Sequence, residues 1–375
     1  MKILFFLFVV SFYIGLNGYV FYRGLQTLPS SITLKIVYSI LFWLFTLSFF
    51  VRMFSGDRLP QGLSITLSVI AFTWMVAVIY FALIILGIDI LRIINHFTAL
   101  FPAFIRENYQ MVKYITGAAS VVFVTGLLVY GNIRFNNPEV TRLELKIGKP
   151  LPGDELKLVM ISDIHLSNYI TGDDLDKYIE MINGENPNLV LIAGDIADMR
   201  LEPLKKWGVA ERFAKIKAPM GVYAISGNHE FYGGEKEQIL NYLKEGGINI
   251  LLDSVAVTGG GVQIAGRDDR TNHKRKTIKE VLKDTDKSLP LILLDHQPFN
   301  LAEAENEGVD LQLSGHTHNG QFWPGSLIVK WMYELPYGYK RRGDTHYYVS
   351  SGIGLWGPKV RIGTKSEIVS ITLKK

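Results

Sequence analysis

Five short polar motifs in the C-terminal half of the chain contain the residues that could do chemistry. They are Asp163-Ile164-His165, Gly194-Asp195, Gly227-Asn228-His229-Glu230, the single His296, and Gly315-His316-Thr317-His318. Five of the 8 histidines in the chain belong to these motifs. Carboxylates and imidazoles suit Mn, Fe, Zn or Co, and a carboxylate shared by two imidazole-rich sets can hold two cations about 3.5–4 Å apart. The motifs therefore predict a two-metal site that hydrolyses phosphate esters.

Each motif follows a short apolar segment that is typical of a buried strand. These segments are residues 156–161, 189–193, 222–225, 291–294 and 309–313. Apolar residues at helical spacing occur between them, at residues 173–183, 235–245 and 277–283. Strands that alternate with helices favour an α/β fold, in which ligands bind beyond the carboxyl ends of the strands. The motifs are therefore expected to converge, and the β-rich tail at residues 347–373 is expected to supply the edge of a second sheet.

The order of the motifs resembles that of the calcineurin-like metallophosphoesterase superfamily, over residues 156–373. The tail, from Ser350-Ser351-Gly352-Ile353-Gly354 through Arg361 to Glu367, is similar to the bacterial membrane-associated branch, which includes UDP-2,3-diacylglucosamine hydrolase-type enzymes. The resemblance implies a four-layer αββα metallophosphoesterase sandwich, an α/β fold. An all-α transmembrane helical module, predicted from the composition of the N-terminal part, precedes it. The resemblance also implies a metal-dependent phosphoesterase that holds two divalent ions (Mn, Fe, Zn or similar) between its sheets.

The resemblance further implies a role for each motif residue. The metal ligands would be Asp163, His165 and His318 for the first ion, Asp195 as the bridge, and Asn228, His296 and His316 for the second ion. His229 would donate a proton to the leaving group or orient the substrate, held by a nearby carboxylate. Monoesters, diesters and pyrophosphates are hydrolysed with the same metals, so the motifs leave the bond type open.

Other residues near the motifs carry weaker signals. Asp198, Glu230 and Asn319 could position the ligands, although Asp198 could equally be a helix cap and Asn319 a turn residue. Arg267 and His273 belong to a basic loop that could bind a phosphate or a lipid headgroup. The competing interpretation of that loop is a solvated charged surface.

The N-terminal part of the chain has the composition of a membrane module. A span needs about 20 apolar residues, and the uncharged stretches predict helices at residues 3–22, 34–52, 63–88 and 114–133. Cleavage of the first stretch as a signal peptide is disfavoured, because it is longer than a usual signal and further spans follow. Residues 91–105 are either an interfacial helix or a continuation of the third helix.

These stretches divide the chain into a transmembrane module at residues 1–135, a linker at 136–153 and a metallophosphoesterase domain at 154–375. An even number of spans places both termini on one side of the cell membrane. A small excess of Lys and Arg on that side favours a cytoplasmic catalytic domain in a multi-pass protein. The net charge of +4 is not the signature of nucleic-acid binding, and the absence of cysteine excludes disulfides and thiolate metal sites.

The expected partners are the lipid bilayer and a phosphate-ester substrate. The covalent link to a membrane module suggests that the substrate is lipid-linked. A different class of function is a membrane sensor or scaffold whose phosphoesterase fold only binds its ligand. That alternative predicts a damaged set of metal ligands, whereas every ligand position here has the expected residue type.

Overall fold

The computed structural model describes residues 2–55 and 58–375. The chain forms two compact units, Met1–Asn132 and Ile133–Lys375. Each unit has its own hydrophobic core.

The described residues of the first unit form helices joined by short connections. Its helices are α1 (Lys2–Gln26), α2 (Ile32–Ser55), α3 (Gln61–Thr98), α4 (Ala103–Glu107) and α5 (Tyr109–Asn136), of which the last extends into the second unit. All of these except the short α4 are long and apolar enough to cross a membrane. Residues 91–98 continue α3, so of the two interpretations of residues 91–105 the structure supports continuation up to Thr98. Ala99, in the left-handed conformation, ends the helix.

Helices α1, α2 and α3 pack together around a small polar core. Asn17 Oδ1 accepts hydrogen bonds from Thr46 Oγ1 at 2.9 Å and from Trp74 Nε1 at 3.0 Å. The Tyr13 hydroxyl donates to the Thr46 carbonyl at 3.1 Å. In lipid, buried polar side chains that bond across helices help to hold the helices together. One residue from each helix thus fixes the arrangement of the α1–α3 bundle.

The second unit contains two six-stranded sheets. The first sheet has the order β1-β12-β2-β3-β4-β5 and the second has the order β10-β11-β9-β8-β7-β6. The strands are β1 (Glu139–Lys146), β2 (Glu155–Ile161), β3 (Leu189–Ile192), β4 (Val222–Ala224), β5 (Ile248–Ile250), β6 (Ser254–Val257), β7 (Gln263–Gly266), β8 (Leu291–Leu294), β9 (Leu311–Ser314), β10 (Gly338–Arg342), β11 (Thr345–Val349) and β12 (Glu367–Lys374).

Helices pack on the outer faces of the sheets. The helices of the second unit are α6 (Gly172–Gly184), α7 (Glu202–Lys206), α8 (Val209–Phe213), α9 (Asn228–Tyr232), α10 (Lys236–Glu245), α11 (Ile278–Val281), α12 (Leu301–Asn306) and α13 (Gly325–Met332), of which α13 has no buried residue. On β2, Leu158 and Met160 pack between the sheets, whereas Val159 and Ile161 pack against the α6 side. Both faces of the strand are therefore buried, which explains its continuous apolar sequence. The predicted four-layer αββα sandwich is confirmed.

Two parts of the sequence prediction need correction. Residues 136–153 are not only a linker, because β1 lies within them and pairs in parallel with β12 over its whole length. Leu143 and Leu145 of β1 reach the core between the sheets, which gives this charged segment a buried face. The tail also differs from the prediction: β11 joins the second sheet, but β12 lies inside the first sheet between β1 and β2.

Candidate metal centre

The predicted ligands lie in loops that follow neighbouring parallel strands. Asp163 follows β2, Asp195 follows β3, Asn228 follows β4, and the remaining motifs follow β8 and β9. Backbone hydrogen bonds join the loops to one another. The Asp163 amide donates to the Gly194 carbonyl at 3.0 Å, and the Gly315 amide donates to the His296 carbonyl at 2.9 Å. Residues far apart in sequence are thus brought together at one end of the sandwich.

Several predicted ligands have an unusual backbone conformation. The positive φ values are 54° for Asp163, 53° for His165, 52° for Asp195, 72° for His316 and 48° for His318. Positive φ is uncommon for residues with a β-carbon, and such residues cluster at functional sites where the surroundings hold them in place. The strained backbone conformation of these residues therefore supports a functional role for their side chains.

The structure forms two groups of potential ligands. In the first group, His318 Nε2 lies 3.6 Å from Asp163 Oδ1 and 3.2 Å from His165 Nε2. In the second group, His316 Nδ1 lies 2.8 Å from Asn228 Oδ1, and His296 Nε2 lies 3.2 Å from the same oxygen. Each group thus contains the residues that the sequence resemblance assigns to one ion.

Asp195 lies between the two groups. Its Oδ2 is 3.7 Å from His165 Nε2 and 3.2 Å from His296 Nε2, so one carboxylate oxygen reaches both groups. Its Oδ1 accepts a hydrogen bond from the His229 amide at 2.9 Å. A Cβ placed on Gly227 would lie 2.1 Å from that Oδ1, so a side chain at this position would displace the carboxylate. This geometry is what a bridging ligand requires.

The protonation of the cluster suits cation binding. Burial lowers the pKa of His165 to about 3 and that of His316 to about 4. Burial and the nearby Arg361 charge lower the pKa of His318 well below its ordinary value. Histidine binds metals as a neutral imidazole, so these rings are in the ligand form at neutral pH.

His296 behaves differently from these three rings. Burial alone would lower its pKa, but the Asp195 carboxylate raises it well above the ordinary value. The charge of Asp195 therefore favours a positive charge at this position, as a bound cation would supply. Buried carboxylates beside neutral imidazoles form a donor set that fits divalent ions of the Mn, Fe or Zn type.

His229 is held by the carboxylate of Asp198. The distance between His229 Nδ1 and Asp198 Oδ1 is 2.7 Å. Burial would lower the pKa of His229, but the hydrogen bond to Asp198 and the charge of Asp195 outweigh it and raise the pKa. The His229 ring centroid lies 4.5 Å from that of His165, so the His229 ring stands at the edge of the first group.

Glu230 connects two of the motif loops. Its carboxylate accepts hydrogen bonds from the Gly227 amide at 2.7 Å and from the Ala197 amide at 2.8 Å. Burial raises the pKa of this fully buried side chain to about 7. Through these bonds Glu230 keeps the loop after β3 beside the loop after β4, which positions Asp195 relative to Asn228.

The other candidate residues, Arg267, His273 and Asn319, lie in different surroundings. The Arg267 guanidinium is mostly buried and binds Asp295 Oδ2 at 3.1 Å, which supports the residue before His296 and leaves Arg267 engaged within the protein. His273 is exposed, and none of the contacts described for residues 58–375 involves it. Asn319 adopts a left-handed conformation in the 3-10 turn His318–Gly320, the turn role considered above.

One residue that the sequence did not single out as part of the site is Arg361. Its side chain is fully buried and donates to the carbonyls of Ser351 at 2.7 Å, Gly354 at 2.8 Å and Gly352 at 2.9 Å. A Cβ on Gly352 would lie 2.7 Å from Asp163 Cβ, so this loop packs directly against a predicted ligand. The only sequence signal was a lone arginine after a Gly-rich segment.

Helix α13 presents an apolar surface next to the metal centre. The chain enters this helix directly after the turn that carries His318. None of its eight residues is buried, and Trp331 is 87% exposed. Leu327, Ile328 and Met332 are exposed as well. Contiguous exposed apolar side chains of this kind mark interaction surfaces.

Several known proteins are similar in sequence to this chain. The family described as calcineurin-like phosphoesterase matches residues 156–320, which include every predicted ligand. An uncharacterized metallophosphoesterase of Helicobacter pylori is 37% identical over 225 residues, which cover 58% of this chain and 60% of that protein. An uncharacterized metallophosphoesterase of Campylobacter jejuni is 32% identical over 275 residues, which cover 72% of each chain.

Relatives with membrane segments also occur in animals. A zebrafish (Danio rerio) protein named transmembrane protein with metallophosphoesterase domain is 32% identical over 273 residues, which cover 68% of this chain and 62% of that protein. The chain thus spans less than two thirds of the Helicobacter and zebrafish relatives.

Proposed function

This chain belongs to the calcineurin-like phosphoesterase family, and from that premise we propose that it is a membrane-bound hydrolase that uses two divalent ions to cleave a phosphoester or pyrophosphate bond. The observation that carries the proposal is the position of Asp195, whose Oδ2 lies within 3.7 Å of His165 Nε2 and 3.2 Å of His296 Nε2. A single carboxylate oxygen between two groups of ligands favours a pair of ions over a single ion.

The residues of the site would have two roles, which are the binding of the ions and the transfer of a proton. Asp163, His165 and His318 would hold the first ion, and Asn228, His296 and His316 would hold the second, with Asp195 shared. When bound, the ions would supply an activated water and neutralise charge on the phosphoryl oxygens. His229, kept in orientation by Asp198, would give its proton to the departing oxygen of the substrate.

The proposed substrate is lipid-linked. Two observations support this choice. Residues 2–55 and 58–375 include four helices able to cross a membrane, and α13, shortly after the turn that carries His318, exposes Trp331, Ile328 and Leu327. An acyl chain or a lipid surface would cover these side chains, whereas a water-soluble nucleotide would leave them in water. We place the protein in the cell membrane as a multi-pass protein. The small excess of basic residues favours a cytoplasmic position for the second unit.

The first experiment uses the full chain in detergent with added Mn and a chromogenic bis-aryl phosphate. Hydrolysis that is lost in Asp195→Asn, but kept in the exposed control Asp344→Asn, supports the proposal. Hydrolysis of a lipid-linked pyrophosphate such as UDP-2,3-diacylglucosamine would then show that the bond cleaved is a pyrophosphate bond. Metal binding without hydrolysis of any of these compounds would instead favour a membrane protein that only binds its ligand.

A further inference from the structure

A large cavity lies within the helical unit, among α1, α2, α3 and α5. Its volume is about 1150 Å³, and most of its lining side chains are apolar, including Leu41, Phe45, Val69 and Leu128. Sites for small ligands usually measure about 300–1,000 Å³. We propose that this cavity binds an anionic phospholipid of the surrounding membrane, with its acyl chains among the helices and its phosphate at the charged end.

The cavity exists because α5 packs loosely on the α1–α3 bundle. In the most apolar stretch of α5 only 6% of the residues are buried, compared with 33% in α3. Close approach occurs at Gly117, where an added Cβ would lie 2.7 Å from the Thr27 side chain. Elsewhere along α5, Val121 and Val124 line the open space. In a bilayer, an apolar space that opens between helices is filled by hydrocarbon, because water has no hydrogen-bond partners there.

The charged residues of the cavity are gathered at one end. Arg23 is in the last turn of α1, Asp89 and Arg92 are in the last third of α3, and Lys113 is near the start of α5. Helices α1 and α3 run in one direction, and α2 and α5 run in the opposite direction. The C-terminal ends of α1 and α3 therefore lie on the same side of the unit as the N-terminal end of α5. A phospholipid has the same polarity, with its charge at one end and its apolar chains along the other.

Positive charge is in excess at this end. Asp89 accepts a hydrogen bond from the Tyr19 hydroxyl at 2.7 Å and forms ion pairs with Arg23 and Arg92. It is also the only acidic residue in the sequence of α1, α2, α3 and α5. Three cations therefore face one carboxylate. Ionisable groups at membrane depth usually mark a binding site, and a lipid phosphate would balance the remaining charge.

Lys113 is the cation best placed to take the phosphate. It is half-buried, and its described contact is with the Tyr109 ring, whose centroid lies 5.6 Å from Nζ. Within residues 2–55 and 58–132 no ion pair of Lys113 with a carboxylate is described. A half-buried ammonium beside an apolar cavity is stabilised when an anion joins it.

The test measures lipids that remain bound to the full chain. The protein is placed in nanodiscs that contain phosphatidylglycerol or phosphatidylcholine, released into mild detergent, and examined by native mass spectrometry. We expect retention of phosphatidylglycerol but not of phosphatidylcholine. Val121→Trp fills the cavity and should abolish retention, whereas Val122→Trp, at a neighbouring position outside the cavity lining, should leave it unchanged.

The charge requirement is tested with a second matched pair. Lys113→Gln should weaken phosphatidylglycerol binding about fivefold, the usual effect of one basic residue on an anionic lipid. Lys35→Gln, which removes a cation of α2 outside the cavity lining, should have no effect. Equal retention of both lipids, or equal behaviour of Val121→Trp and Val122→Trp, would overturn the proposal. The Asp195→Asn variant should still retain the lipid. A negative result for lipid binding would therefore not contradict the proposed hydrolytic function.

Discussion

His229 and Asp198 are 31 residues apart in sequence, and their side chains meet at 2.7 Å. The contact joins the loop after β3 to the start of α9 at the edge of the metal centre. It fixes which ring nitrogen of the imidazole is turned away from Asp198. It also raises the pKa of His229, which favours the protonated ring. An imidazole and a carboxylate that holds it in orientation are thus paired within the fold.

The first prediction concerns the pH dependence of hydrolysis. Asp198 and Asp195 raise the pKa of His229 against the opposite effect of burial, so the ring stays protonated to a higher pH than an ordinary histidine. Activity should fall as the pH rises through that pKa. In Asp198→Asn the alkaline limb of kcat/KM should shift to lower pH, and His229→Ala should lose about 10²–10⁴-fold in rate. An unshifted alkaline limb in Asp198→Asn, with Asp284→Asn as the exposed control, would contradict the assignment.

A second prediction concerns metal content. Metal analysis of the purified chain should give two divalent ions per molecule. His318→Ala should retain one ion and His316→Ala should also retain one, because these residues belong to different groups of ligands. Asp195→Ala should lose both ions. If the two histidine variants lost both ions equally, the two groups would have to be regarded as one site.

The space around Asp195 gives a third prediction. In Gly227→Ala the new Cβ would lie 2.1 Å from Asp195 Oδ1, so the carboxylate must move. A displacement of about 1 Å at a catalytic group costs about 10²-fold in rate. The control is Gly259→Ala, since nothing lies within 4 Å of a Cβ at that position. Similar activity in both variants would show that Asp195 tolerates displacement.

The fourth prediction concerns stability in acid. Burial would raise the pKa of Asp268, but hydrogen bonds from Lys236, Ser226 and Asn272 outweigh it and lower the pKa. A lowered pKa stabilises the fold above the pKa of the unfolded chain, and this contribution is lost as the pH falls through the folded-state value.

Asp268→Asn should therefore lower the free energy of unfolding at pH 7 by about 1–3 kcal/mol. The difference from the parent protein should shrink at low pH. Denaturant unfolding of the full chain at pH 7 and at pH 3 to 4, compared with Asp284→Asn, measures both effects. A difference that stays constant with pH would exclude the titration of Asp268 as its cause.

The fifth prediction tests the apolar surface of α13. Trp331→Gln with Ile328→Gln should lower activity on a lipid-linked substrate about tenfold, as expected for the loss of roughly 1.4 kcal/mol of apolar contact. Activity on a soluble aryl phosphate should not change. Val257→Gln, which alters an exposed apolar residue on the edge strand β6, is the control. Equal losses on both substrates would assign α13 a role in folding instead.

Much of the site was predictable because its residues sit where parallel strands end. Strands buried on both faces, such as β2 and β8, appear in the sequence as short apolar runs, and the polar motif follows at once. The ligand types then restrict the chemistry. What the motifs could not provide was the pairing of His229 with Asp198, since a short Asp-containing loop has the same sequence pattern whether it caps a helix or orients a histidine.

The parts that were not predictable depend on distant partners. Strand β1 reads as a polar linker, because its charged residues dominate and its buried face is only Leu143 and Leu145. Its partner β12 is more than 200 residues away in sequence, and the pairing of the two strands begins with Glu139 opposite Glu367. Arg361 was missed as part of the site for a similar reason: a single cation gives no periodic signal, and its role depends on carbonyls of a loop folded back over Asp163.

The position of β12 has a consequence for biosynthesis. Strand β12 inserts between β1 and β2, which lie more than 200 residues earlier in the chain. In the sheet order β12 is the neighbour of β1, so β1 stays unpaired on the ribosome until β12 has been synthesised. A chain that terminates before β12 lacks the strand that joins β1 to β2, so its first sheet is left incomplete beside the strand that precedes Asp163.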